Sequence, residues 1–328
     1  MAEYTKSWLS VHDQVERLAE HGLHVGDPEH AAATLSAIGY YRLTGYLYPY
    51  RVSEEYVEDD GRRRIRVLGD YRPGTSLGQV EAIIDFDRKL RMLVLDALER
   101  IEVAVRMRIG YVLGRSSAFA HEDRTCFTEA FTAEITDTRG PVASKHVRWL
   151  QRVNARKAGS DEQFVEHFRQ KYDARMPVWA LTEILELGQL SVLYRGMNKN
   201  DATEIALAFG VPTKTLMSSW LASLNYVRNV AAHHARLFNR KLQYAPSRPK
   251  RGQIPVLDHL RDNENSKNVF GTYNALAVIA YVLPSIEPES DWSARLVALL
   301  RSFPGSAALT VASVGVPPEW ENLDLWRQ

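Results

Sequence analysis

The chain has 328 residues, of which 45% are hydrophobic, enough to bury a substantial core as one large domain or two small ones. Its formal net charge is +1, so the whole chain has no general attraction to nucleic acid, and any RNA contact must come from local patches. The single cysteine, Cys126, excludes an internal disulfide and a cysteine-based zinc site. No secretory segment and no bilayer-length apolar run is present, which predicts a cytoplasmic protein without membrane contact.

The N-terminal part of the chain predicts two helices followed by a tyrosine-rich segment. Ser10 to Leu23 and Asp27 to Ile38 carry apolar residues at helical spacing, and Asp27 is placed to cap the second helix. The segment 40–50 is rich in tyrosine, whose ring has a large apolar area and whose hydroxyl seeks a partner. Two interpretations stay open, namely packing between helices and, together with Arg42 and Arg51, a base-stacking surface for single-stranded RNA.

A β-hairpin is predicted from Tyr48 to Leu68. It turns at Asp60 and Gly61, a pair that favours type I′ turns. Glutamates on one arm face arginines on the other, so cross-strand ion pairs and RNA contacts by the arginine arm both remain open.

The segment from Leu77 to Leu113 predicts a long core helix with a broad apolar face. Glu102 and Arg106 stand four residues apart with the acid first, which suits an ion pair within a helix. These two residues could organise a site on a neighbouring helix or form an ordinary ion pair.

The segment from Ser219 to Arg240 contains no glycine or proline and predicts one continuous amphipathic helix. Asn225, Asn229 and His233 follow one another at steps of about one turn and give that helix a polar flank.

Arg228 and His233 carry the side chains best suited to RNA chemistry. A guanidinium offers a rigid fork of donors to a phosphodiester, and an imidazole exchanges a proton near neutral pH. On a continuous helix the two lie about 140° apart, so they share a site only across a cleft or with a second copy of the helix.

The spacing of these residues is similar to a known signature. Arg228 and His233, which are separated by four residues, resemble the Arg-x4–6-His signature of the HEPN superfamily, whose members are mostly metal-independent ribonucleases. The longer string RNVAAHHARLFNR, residues 228–240, resembles the abortive-infection Abi family within that superfamily. Similar strings occur at residues 40–50, 86–91, 99–106, 179–197 and 314–328.

The resemblance implies a mainly α protein with a HEPN-like helical bundle core, additional N- and C-terminal helices and one small β-hairpin. It implies a single domain over residues 1–328: an N-terminal part (1–76), a helical core (77–240), and a basic loop with closing helices (241–328).

It further implies a toxin-like endoribonuclease of phage defence that leaves 2′,3′-cyclic phosphate and uses neither metal nor another cofactor. His233 would act as general acid or base, Arg228 would stabilise charge on the phosphate, and Asn229 would position the imidazole. Because the chain has one such motif, we expect a homodimer with a composite site.

Further residues are candidates for contacts around this site. His234 would serve the partner's half of the site or simply pack. Arg236, Asn239 and Arg240 would contact RNA or stabilise the helix. A proline-containing loop with Arg248, Lys250 and Arg251 would track phosphates or serve as a surface connection.

Two alternatives belong to other functional classes. A non-catalytic RNA-binding or regulatory protein could use the same flank to hold a small RNA or a partner protein. A metal hydrolase built on His233 and His234 is disfavoured, because adjacent side chains diverge on a helix and no HExxH pattern is present. A toxin would also need an inhibitor, either a small RNA or a protein.

Overall fold

A computed structural model of the chain describes residues 3, 7–58, 60–137, 140–262 and 271–327. The protein is mainly α-helical with a small antiparallel hairpin, which confirms the predicted fold class. The chain divides into two compact units, Met1–Leu90 with Leu299–Ser313, and Arg91–Ala298 with Val314–Gln328. The single-domain organisation stays a prediction.

The first unit contains three short helices and the predicted hairpin. Its elements are α1 (Val11–Glu20), α2 (Pro28–Ile38), α3 (Tyr40–Leu47), β1 (Arg51–Val57) and β2 (Arg63–Tyr71). Asp27 caps α2 by accepting from the amide of Glu29, as the sequence predicts.

The hairpin pairs β1 and β2 in antiparallel register, with Glu54 opposite Arg66. Arg66 lies 3.8 Å from Glu54, and Arg64 lies 3.1 Å from Glu58. The arginine arm is therefore matched by glutamates across the strands, in exposed pairs of the kind that add little stability.

The tyrosine-rich segment is partly buried and partly exposed, so its packing between helices is seen for some of its rings and the base-stacking role stays a prediction. Tyr46 and Tyr50 are buried, and the Tyr46 hydroxyl donates a 2.6 Å hydrogen bond to the fully buried carboxylate of Asp87. Tyr41 and Tyr48 are exposed. Helical periodicity therefore places part of the segment in the core and leaves two rings on the surface.

The long helix α4 (Leu77–Gly114) confirms the strongest helical pattern of the sequence outside the motif segment. Its residues up to Leu90 belong to the first unit and the rest to the second. Ion pairs one turn apart join Asp96 to Arg100 at 2.8 Å and Glu102 to Arg106 at 2.5 Å.

The second unit holds the remaining helices and a short ladder of two strands. Its elements are α5 (Glu129–Thr132), β3 (Ile135–Asp137), β4 (Gly140–Val142), α6 (Lys145–Ala158), α7 (Gln163–Tyr172), α8 (Val178–Leu181), α9 (Leu187–Gly196), α10 (Lys199–Ala208), α11 (Lys214–Ala232), α12 (His259–Asp262), α13 (Thr272–Val282) and α14 (Trp292–Arg301), whose last residues fall in the first unit. Along the described residues, no helix is both long and apolar enough to cross a membrane.

Helix α11 carries the motif and lies in the core of the second unit, packed against α9, α10 and α13. Helix α13 is almost wholly buried and carries no charged residue. A Cβ atom on Gly188, at the start of α9, would lie only 3.1 Å from the Asn225 amide oxygen. The absence of a side chain at Gly188 therefore lets α9 approach α11 closely beside Asn225.

The prediction of one continuous helix from Ser219 to Arg240 is wrong at its C-terminal end. Helix α11 ends at Ala232, and His234 has a left-handed backbone with φ of 57°. After the turn, Leu237 and Phe238 are fully buried, and the Leu237 carbonyl accepts from the hydroxyl of Thr272 at 2.9 Å. Burial of these two neighbouring apolar residues overrides the helical propensity of the segment.

A buried imidazole in the second unit makes stability depend on pH. The pKa of His121 is lowered to about 4, chiefly by burial; Lys157, His146 and Arg175 contribute in the same direction, whereas Glu122 opposes the shift. The unfolded chain binds a proton at this residue below about pH 6.5, and the folded chain does so only near pH 4. Stability is therefore expected to fall by about 3 kcal/mol as the pH drops through this window.

Urea unfolding at pH 7, 6 and 5 measures this effect. In His121→Asn, which does not titrate, the free energy of unfolding should change less over the same range. An equally steep pH dependence in the variant would assign the effect to other groups.

Candidate functional site

The guanidinium of Arg228 is held by a carboxylate from α4. Its Nε atom lies 3.8 Å from Glu102, whose side chain is only 9% exposed. Glu102 also accepts a 2.5 Å hydrogen bond from Arg106, and Arg106 donates to the carbonyl of Leu185 at 2.9 Å. A buried carboxylate thus lies between two guanidinium groups, with a hydrogen bond to Arg106 and a longer ion pair to Arg228 of α11.

An open cleft of about 350 Å³ lies beside this cluster. The residues that line it come from two helices, and they are Leu95, Glu99, Glu102, Val103, Arg106, Arg228 and Ala232. Arg228 is the only predicted catalytic residue in this lining, as far as the described residues go. Its side chain is 31% exposed, so the guanidinium can still reach a ligand in the cleft.

Asn229 is engaged with Arg228. Its amide oxygen accepts a 3.3 Å hydrogen bond from the Arg228 guanidinium. Within the described residues, no side-chain hydrogen bond joins Asn229 to the ring of His233; the two residues are linked through the backbone, where the His233 amide donates to the Asn229 carbonyl at 3.0 Å. In this chain by itself, Asn229 orients the arginine rather than the imidazole.

His233 and His234 form the turn that ends α11. The His234 amide donates to the Ala231 carbonyl and the Ala235 amide to the Val230 carbonyl, each at 3.0 Å, which is the Schellman pattern. Both histidine side chains are exposed. Ala232, the last residue of α11, lines the cleft, and His233 directly follows it. The exposed imidazole of His233 therefore belongs to the end of the helix that borders the cleft.

The left-handed position of this turn is occupied by His234 instead of glycine. A side chain there costs about 1–2 kcal/mol, because Cβ crowds the backbone. The sequence carries no breaker that would reveal the turn, since neither glycine nor proline follows Ala232 closely. The strained residue lies inside the motif, where stored strain is often linked to function.

The candidate RNA contacts after the turn are half-buried. The Nε atom of Arg240 donates to the Arg236 carbonyl at 3.2 Å. The amide oxygen of Asn239 is buried and finds no hydrogen-bond partner among the residues that the structure describes. These three residues therefore lie in a compact segment rather than on the flank of α11, where the sequence had placed them.

The basic loop lies against the first half of α11. Ser247 donates from its amide to Ser219 and accepts from the indole of Trp220, at 2.9 and 2.8 Å. Along the helix axis, Trp220 and Ala232 are about 18 Å apart. The loop is thus separated from the two histidines by most of the helix.

Within the loop, Lys250 and Arg251 are exposed and Arg248 is half-buried. Arg261, which sequence reasoning missed, donates to the carbonyls of Arg248 and Pro249. No periodic pattern links Arg261 to the loop, so the sequence offers no signal for this contact.

The geometry supplies a fixed guanidinium in a cleft and an exposed imidazole at the end of the same helix. In the described part of the chain, histidine, cysteine and carboxylate side chains do not gather in groups of three that could hold a metal ion. The groups present suit charge stabilisation and proton transfer at a phosphodiester.

Replacing His234 with glycine tests the backbone strain. Glycine tolerates the left-handed region, so His234→Gly should raise the free energy of unfolding by about 0.5–1 kcal/mol, measured by urea denaturation. In the matched control His233→Gly, the backbone has an ordinary φ of −85°, and glycine should lower stability. Shifts of the same sign in both variants would contradict the assignment of strain to His234.

Residues 33–239 match the family model for Abi-like proteins. The match includes α4, α11 and both histidines, and it ends before the basic loop. No curated protein and no solved structure matches the chain significantly. Because the match covers more than half of the chain, the protein belongs to the Abi-like family.

Proposed function

We propose that this protein is a metal-independent endoribonuclease of phage defence that cleaves RNA and leaves 2′,3′-cyclic phosphate. The observation that carries the proposal is the pairing of a clamped Arg228 in a cleft with an exposed His233 at the end of the same helix. Membership of the Abi-like family supports a role in abortive infection. The HEPN assignment remains part of the proposal.

In the proposed reaction, Arg228 neutralises the charge that develops on the phosphodiester. Its guanidinium is ion-paired on one side with Glu102 and lines the cleft, where it would meet the phosphate. Asn229 supports the same guanidinium through its amide oxygen.

His233 would take the proton of the ribose 2′-hydroxyl or give one to the leaving oxygen. Such general acid–base catalysis typically contributes 10²- to 10⁴-fold. The attacking 2′-oxygen displaces the 5′-oxygen of the next nucleotide. The products are a 2′,3′-cyclic phosphate and a 5′-hydroxyl, and no water is consumed. His234 is proposed to assist from the partner's half of the site.

The complete site is proposed to form in a homodimer. On α4, Val103 lines the cleft, and Met107 and Tyr111 continue its exposed apolar face by one and two turns. A second copy on this face would cover apolar area and bring a second motif to the cleft. We place the reaction in the cytoplasm, with a small RNA or a protein as its inhibitor.

The second candidate is an RNA-binding or regulatory protein without catalysis. It is favoured by the engagement of both Glu102 and Asn229 with Arg228, while His233 has no side-chain partner among the described residues. In that case Arg228, Arg236, Asn239 and Arg240 would hold a small RNA or a partner.

RNA cleavage in EDTA tests the proposed function. The parent protein should cut RNA and leave 2′,3′-cyclic phosphate ends, whereas Arg228→Ala and His233→Ala should each lose at least 10²-fold in rate. If one site takes Arg228 from one protomer and His233 from the other, mixing the two variants should restore part of the activity.

Catalysis, metal independence and the sharing of the site between protomers are each tested by a different result. Tight RNA binding without cleavage in any sample would favour the non-catalytic protein. Cleavage that needs a divalent metal would contradict the metal-independent mechanism. A mixture that stays inactive, with both variants folded, would contradict the sharing of Arg228 and His233 between protomers.

Glu102→Gln tests whether the buried carboxylate positions Arg228. The neutral amide holds a guanidinium less firmly, and a small misplacement should lower kcat by about 10-fold or more while RNA binding changes little. The matched control is Glu166→Gln, which breaks an exposed pair with Arg169 at 2.9 Å and should leave the rate unchanged. A Glu102→Gln variant with the parent's kcat would show that Arg228 needs no such support.

A further inference from the structure

Arg248 is a half-buried guanidinium for which the described part of the chain offers no acceptor. Across the described residues, none of the hydrogen bonds or ion pairs involves its side chain. Its backbone carbonyl accepts a 2.9 Å hydrogen bond from Arg261. Partial burial of a cation is costly unless an anion or other acceptors compensate it. The site therefore lacks the partner that a buried arginine normally has.

Arg261 adds a second positive charge at the same place. Its guanidinium donates to the backbone carbonyls of Arg248 and Pro249, which fixes it beside the loop. Burial lowers the pKa of Arg248, and the charge of Arg261 lowers it further. No carboxylate counters this effect in the described structure, so an incoming anion would relieve the repulsion.

A small recess beside Arg248 contains an unused polar side chain. Asn274 lines the recess and is only 5% exposed, and its amide forms no hydrogen bond with the residues described. The enclosed volume is about 10 Å³, about the room that one water molecule needs, so a larger anion would lie at the mouth. From there, Asn274 can donate to it together with Arg248.

Two other polar side chains that line the recess, His259 and Tyr273, are already hydrogen-bonded within the protein. The Nδ1 atom of His259 lies 3.0 Å from the Val256 carbonyl and so carries the proton in the neutral ring. Its Nε2 atom then accepts from the hydroxyl of Tyr273 at 2.9 Å, and that hydroxyl accepts from the indole of Trp326 at 3.1 Å. Among the described side chains that line the recess, those of Arg248 and Asn274 therefore have donors left for a ligand.

The recess lies at a fixed distance from the candidate site. Ser247, the residue before Arg248, is hydrogen-bonded to Ser219 and Trp220 on α11. Trp220 lies about 12 Å along the helix axis from Arg228. A strand whose scissile phosphate lies at Arg228 could place another of its phosphates at Arg248.

We infer that Arg248, Arg261 and Asn274 form a phosphate-binding subsite that holds the RNA chain away from the point of cleavage. The ligand is a phosphate group, contacted without base recognition, so it adds affinity and position but no sequence preference. The inference deepens the proposed function and rests on it in taking RNA as the ligand.

Salt-dependent binding of a fluorescently labelled 12-nucleotide single-stranded RNA tests the subsite. The measurement uses the full chain with His233→Ala, so that the strand is not cut. In Arg248→Gln and in Arg261→Gln, the slope of log K against log salt should become shallower by about 0.7, the contribution of one phosphate contact.

Two further variants serve as controls. Arg248→Lys keeps the charge and should keep most of the slope. Lys199→Gln removes the same charge from the exposed start of α10 and should bind like the parent. If Arg248→Gln is poorly folded, Arg261→Gln still decides the test, because Arg261 is exposed and its replacement disturbs the fold less.

Unchanged slopes in both arginine variants would overturn the inference. Calorimetry with inorganic phosphate and with a nucleoside 5′-monophosphate tells whether the anion is free phosphate or part of an RNA chain. If these small anions bind in a way that depends on Arg248 while the RNA slope is unchanged, the site binds free phosphate and the RNA-chain subsite is overturned. Shallower slopes in a protein that cleaves no RNA would retain the subsite and reject the proposed nuclease. RNA cleavage by the parent protein, with unchanged slopes in both arginine variants, would retain the proposed nuclease and reject the subsite.

Discussion

The carboxylate of Glu102 is the constraint on which the candidate site depends. Removing one carboxylate from water costs several kcal/mol, and two guanidinium groups must offset that cost together. Arg106 does so within α4, and Arg228 does so from α11. Because Arg106 also holds the Leu185 carbonyl, one buried charge connects α4, α11 and the segment that leads into α9. The position of Arg228 therefore follows from the core of the second unit rather than from the surface of its own helix.

At the end of α11, in contrast, the chain adopts a conformation that costs stability. Its Schellman turn saturates the last carbonyl groups of the helix, yet it places His234 where glycine would be more stable. The turn also leaves both imidazoles exposed directly after Ala232. A chain that keeps histidine here loses about 1 kcal/mol of folding free energy relative to the usual residue. Exposed histidines on a strained turn, beside an arginine fixed by a buried charge, are the arrangement expected where position matters more than stability.

Most of the helical architecture could be predicted from sequence, because strong periodicity and capping residues determine elements such as α2 and α4 locally. The hairpin was predictable for the same reason, since its turn and its cross-strand charges are encoded within 20 or so residues. The end of α11 was not, because burial of Leu237 and Phe238 decides it through contacts with α13, far along the chain. The link from Glu102 to Arg228 spans two helices, so the sequence could suggest Glu102 only as one possible organiser. The pairing of Arg261 with the Arg248 loop has no local signal at all.

The charge balance of the chain is reflected in the pairing of several of its arginines with carboxylates. A net charge of +1 means that carboxylates nearly match the cations in number, and the structure places many of them together. The hairpin arginines face glutamates, Arg100 faces Asp96 and Glu287, and Arg115 faces Glu204. A cation paired in this way attracts a phosphate only weakly, because its field is already cancelled nearby. Arg248 differs in that its nearest charged influence is another arginine. In a nearly neutral protein, a positive potential that attracts phosphate must come from cations that no carboxylate compensates, and this pair is one such place.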